Sequence, residues 1–128
     1  MRRIDFQVPI YDWKVSVVTI LNKHCYNDLR SLLDEFNVED SMKTAILKEV
    51  KAGSFNGGKT LTRKGTREVV VILFPWKTEL DFIRTLNHEK RHVIDDIVEW
   101  HDLDSFEAAA YLDGYISCEI YKRLGELK

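Results

Sequence analysis

At 128 residues, with 45% hydrophobic and 31% charged side chains, the chain has the composition of one folded domain, 1–128, and not of a disordered tail. Its net charge of −2, with Lys and Arg in no long run, gives no electrostatic reason to expect nucleic acid as a partner. No apolar run approaches a membrane span, no apolar segment follows Arg2 and Arg3, and Cys25 and Cys118 lack C-x-x-C spacing, so a cytoplasmic chain with reduced thiols is expected.

In chain order, residues 4–11 alternate weakly and Pro9 marks them as an edge strand. Asp12-Trp13 makes a turn into the β-branched run Lys14-Val-Ser-Val-Val-Thr-Ile-Leu21, a second strand. Leu29, Leu32, Leu33 and Phe36 recur at helical steps. Asp40-Ser41 starts a second helix that Gly53 ends. Residues 55–63 and 66–74, joined at Lys64-Gly65, read as a β-hairpin whose second arm is apolar enough for an inner strand. Thr78 followed by Asp81 opens a long helix without Gly or Pro, and a final helix runs from about Ser105 to Leu124. The order ββαα-ββ-αα predicts an α+β fold, a small antiparallel or mixed sheet with its helices gathered on one side.

The long helix carries Thr85-Leu-Asn-His88-Glu89-Lys-Arg-His92, an H-E-x-x-H pattern. Residues four apart share a helix face, so His88 and His92 can present both imidazoles to one metal ion, and Glu89, about 100° round, can reach a water on its open side. Leu80, Ile83, Leu86, Ile94, Ile97 and Trp100 form the expected packing stripe, with His88, His92, Asp95 and Glu99 roughly opposite. Two histidines leave tetrahedral Zn2+ short of a protein ligand. Glu107 is the candidate, on a face with Ala110, Tyr111, Gly114 and Cys118 small enough for close helix contact; as the first-turn acid after Asp104 it also suits a cap. His101 is the competing ligand, His24 has no partner spacing, and Asp95, Asp96 or Glu99 can hold a histidine's outer N–H.

Gly53-Ser-Phe-Asn-Gly-Gly58-Lys59-Thr60 also satisfies the phosphate-loop pattern. That loop needs a strand before it and a helix after it; here the order is reversed, so a glycine-permitted hairpin is expected and nucleotide binding is not.

His88-Glu89-x-x-His92, followed by Glu107 in a Glu-x-x-Ala-Tyr stretch, resembles zincin metallopeptidases of the gluzincin type. The plan of a strand, the signature helix and a Glu-bearing helix looks like the small peptidases encoded by phages and mobile elements, over residues 68–116. The resemblance implies a minimal zincin fold, Zn2+ held by His88, His92 and Glu107, Glu89 as general base, and a peptide or protein substrate lying along strand 68–74. Tyr111, one turn from Glu107, is the expected oxyanion-stabilising group, with packing as its plain alternative. Zincins usually carry uncharged residues where this chain has Lys90 and Arg91. That departure favours a second expectation: a catalytically inactive zincin-fold binding or structural module.

Overall fold

The computed structural model describes residues 1–53 and 57–128. Strands β1 (Arg2–Val8) and β2 (Trp13–Thr19) form an antiparallel hairpin, helices α1 (Tyr26–Glu35) and α2 (Asp40–Ala52) follow, and β3 (Gly58–Arg63) and β4 (Glu68–Leu73) form a second hairpin. Helices α3 (Glu79–Trp100), α4 (Phe106–Tyr121) and the short α5 (Leu124–Leu127) complete the chain. The sheet is mixed, in the order β1-β2-β4-β3, because β2 and β4 pair in parallel. The fold is α+β as expected. The local signals act where they were read: Gly53 takes φ +70 at the end of α2, and the Thr78 side chain accepts from the Asp81 N–H at the start of α3. Of the first hairpin arm, residues 55 and 56 lie outside the described residues, as does much of the phosphate-loop pattern.

The helices do not gather on one side. A parallel pair needs a crossover that passes over one sheet face, and between β2 and β4 that crossover contains α1 and α2. They close one core, in which Leu29, Leu33, Ile46 and Val50 meet Val18, Val70 and Ile72. The chain leaves β4 for the opposite face, where Phe82, Leu86, Ile97, Leu112 and Ile116 pack on Val15, Val17, Val69 and Val71. β4 feeds both cores with alternate side chains, as a strand covered on both faces must. Its neighbours on both sides leave it no free edge; β3 is the outer strand on that side. The strand preceding the signature helix is therefore closed to an extended substrate, contrary to the resemblance.

Candidate active site

Helix α3 runs 22 residues with Phe82, Leu86, Val93, Ile94 and Ile97 buried against the sheet. The expected stripe is rotated towards Glu89: Leu80 is 70% and Trp100 46% exposed, whereas Glu89 is only 5% exposed. Three sides of the helix then have different company. Lys90 Nζ lies 3.0 Å from Asp113 Oδ1 and 2.8 Å from Ser117 Oγ, and the Tyr121 hydroxyl donates to Asn87 Oδ1 at 3.0 Å, so α4 occupies that side. Towards β3, the Thr60 hydroxyl donates to Glu89 Oε2 at 2.6 Å and the Thr62 hydroxyl to Asp96 Oδ2. Towards solvent stand His88 and His92, both exposed, with their rings edge to face and their Nε2 atoms 3.2 Å apart.

That last distance carries chemical meaning. Two nitrogens bound at ~2.0–2.1 Å to a tetrahedral zinc ion lie ~3.3 Å apart. The spacing is that of an N–H···N hydrogen bond between the rings, and it also matches two corners of such a site. His92 also borders an open recess of about 370 Å³ that it shares with Glu89, Asp96, Thr60, Lys59 and Gly58. Lys90 does not disturb the pair, because Asp113 and Ser117 absorb its charge at the α3–α4 contact; the Lys90 hydrogen bond is the main influence holding the Asp113 carboxyl below its usual range.

Gly58, in the sequence only part of a phosphate-loop imitation, packs directly against Glu89 and borders this recess. A Cβ there would fall 2.8 Å from Glu89 Cγ and 3.0 Å from both the Ile72 carbonyl oxygen and Thr85 Cγ2. Only glycine lets the Glu89 stem pass between strand and helix. The signal in the sequence was the glycine itself, in a stretch otherwise fit for a strand. Thr60 and Thr62 carried no signal beyond their period-two spacing.

Glu107 does not join the histidines. It sits exposed in the first turn of α4, where Ser105, not Asp104, caps the helix by accepting the Glu107 N–H at 3.2 Å. The expected contact face of Ala110, Tyr111, Gly114 and Cys118 is exposed, and a Cβ on Gly114 would meet nothing within 4 Å. α4 packs instead through Leu112, Ile116 and Ile120, on the Lys90 side of α3, while the histidines point away from it. Tyr111 is carried outwards with that face and stacks on Tyr115, so it is not presented to the pair. Among the described residues, no three His, Cys, Asp or Glu side chains converge as a metal-holding group.

The remaining candidates are engaged elsewhere. His101 Nε2 accepts the Trp13 indole N–H at 2.8 Å, and burial above all, with the Arg67 charge adding to it, holds its pKa below the ordinary histidine value. His24 sits exposed in the turn after β2. Asp95 pairs with Arg91 at 2.9 Å and Glu99 with Lys64 at 4.0 Å, so neither they nor Asp96 hold an imidazole N–H. Set against known proteins, the chain matches no family model, no curated protein and no solved structure.

Proposed function

We propose that this chain is a zinc-dependent peptidase whose Zn2+ is held by His88 and His92, with Glu89 as general base. The observation that supports the reading is the 3.2 Å between the two Nε2 atoms, a hydrogen-bond spacing close to the separation of two ligands on a tetrahedral ion. Bound zinc supplies an acidified water and polarises a peptide carbonyl. The chain's own groups do the rest. Glu89 takes the proton of a water on the recess side of His92 and passes it to the leaving amine. The Thr60 hydroxyl fixes the carboxylate's orientation and Gly58 leaves room for its stem. The exposed edge of β3, beside the same recess, replaces β4 as the element that can line up an extended peptide. Two protein ligands in place of three leave a more open ion, held less tightly than in a three-ligand site.

Metal analysis of protein purified without chelator or a nickel column tests the reading, with one zinc per chain expected. Glu89→Gln should then keep the zinc and lose hydrolysis of a casein substrate. A chain that takes up no stoichiometric zinc ends the proposal.

A second reading has its own observation. Glu89 is 5% exposed and accepts a strand hydroxyl, which suits a carboxylate that fastens β3 to α3 in a non-catalytic binding or structural module. Under that reading Glu89→Gln changes stability alone, and no substrate is cut with or without zinc.

A further inference from the structure

On the sheet face opposite α3, the cations of α1, α2 and the turn before them come together. Tyr26, Arg30, Lys43, Thr44, Leu47, Lys48 and Lys51 wall a recess of about 450 Å³ between the two helices. A second recess of about 300 Å³, walled by Lys23, His24, Tyr26 and Lys51, adjoins it and shares Tyr26 and Lys51. No carboxylate lines either one. Elsewhere some cations are matched to acids, Arg3 to Glu35, Lys90 to Asp113, Arg91 to Asp95 and Arg123 to Glu126, while among the described residues Arg2, Lys14, Lys59, Arg67 and Lys77 form no ion pair either. What sets the recesses apart is the crowding of Lys23, Arg30, Lys43, Lys48 and Lys51 on walls without a carboxylate. Here only Lys43 is matched, by Asp34 at the rim, and among the described residues Lys23, Arg30, Lys48 and Lys51 form no ion pair.

The acids of the same two helices, Asp28, Asp34, Glu35, Asp40 and Glu49, do not line the recesses, so the five cations face them together. From Lys43 to Lys51 the trough runs ~12 Å along α2, at 1.5 Å per residue. That covers roughly three to four phosphates of a stacked strand at ~3.4 Å each. Tyr26, half-buried where the two recesses meet, offers a ring on which a base can stack. The trough is sunk between two helices, whereas reading a duplex takes a protruding element that enters its groove. Apart from Tyr26 the lining offers only Leu47 and Thr44, not the cluster of apolar anchors an acidic protein partner would need.

We infer that the α1–α2 trough binds single-stranded nucleic acid through its phosphates, with Tyr26 stacking on a base. The site lies across the sheet from His88 and His92 and is independent of their metal.

Fluorescence anisotropy with a labelled 20-nucleotide oligo-dT, from 20 to 200 mM salt, tests the inference. Three to four phosphate contacts give a slope of about −2.5 in log K against log salt. The double variant Lys48→Glu with Lys51→Glu should weaken binding at least about tenfold and flatten that slope, while Lys122→Glu, on α4's side, leaves it unchanged. Tyr26→Ser should cost about 5- to 100-fold and Tyr26→Phe little, since a phenyl face stacks equally well. The inference is overturned if no binding appears at 20 mM salt, if the double charge reversal binds like the parent, if duplex binds more tightly than the single strand, or if polyglutamate displaces the oligonucleotide as well as unlabelled oligo-dT does. The last result would assign the trough to an acidic polypeptide.

Discussion

Gly58 meets the Glu89 stem at a separation that no side chain tolerates, so its replacement reports on how firmly the carboxylate is placed. Gly58→Ala should destabilise the chain by ~1–3 kcal/mol through overpacking, read by urea denaturation. A variant as stable as the parent would mean that strand and helix part easily there. Glu107 and His92 give a paired test of the ligand set. Glu107→Ala should leave zinc affinity unchanged by titration calorimetry, whereas His92→Ala should abolish binding; loss of zinc on truncating Glu107 would restore the three-ligand site. His101 provides the pH dependence. Its folded pKa is depressed, so the folded chain binds fewer protons there than the unfolded chain. The stability this contributes is complete above the unfolded value of ~6.5 and is lost as pH falls through the folded one. Geometry acts in the same direction, because a protonated Nε2 no longer accepts the buried Trp13 N–H. The urea midpoint should therefore fall between pH 7.5 and 5 in the parent and fall less in His101→Gln; equal falls in both would rule the imidazole out as the cause.

Helix α3 stands between two neighbours of different chemistry, the hydroxyls of β3 and the Asp113–Ser117 turn of α4. Lys90 serves the second. Lys90→Met should shift stability by less than ~1.5 kcal/mol, since Asp113 is more than half exposed and keeps its water, while Lys90→Glu should destabilise by setting like charges together. In Lys90→Met the Asp113 pKa rises towards its ordinary value, so this carboxyl no longer contributes stability that acid removes, and the urea midpoint should fall less on acidification than in the parent. The elements themselves were legible in the chain: the β-branched run of β2, the Thr78 cap and the Gly53 stop all lie in local chemistry. The covering of both sheet faces was legible too, since Val69–Phe74 is an unbroken apolar run, the mark of a strand without a wet face. That run argues against helices on one side only. The fate of Glu107 was not legible in spacing, because it depends on how α4 is turned about its own axis. Leu112, Ile116 and Ile120, at four-residue steps, decide that turn against the alanines and the glycine.

The whole chain is three layers sharing one sheet, and β2 and β4 belong to both cores. Ile72→Ala on one face and Ile97→Ala on the other should each cost ~2–5 kcal/mol. Unfolding should remain one transition, with tryptophan fluorescence and far-UV circular dichroism superimposing; separate midpoints would show that the layers come apart singly. The histidine pair has a consequence at this scale. Both imidazoles come from one turn of a single helix, so a cation gripping them staples residues only four apart and ties no distant segments together. Closing so short a loop removes little freedom from the unfolded chain. Its grip adds to stability only by mass action, in proportion to how far it is saturated. Chelator should thus empty the pair and leave helix content and melting cooperativity intact, a holder that loads and unloads without coming apart.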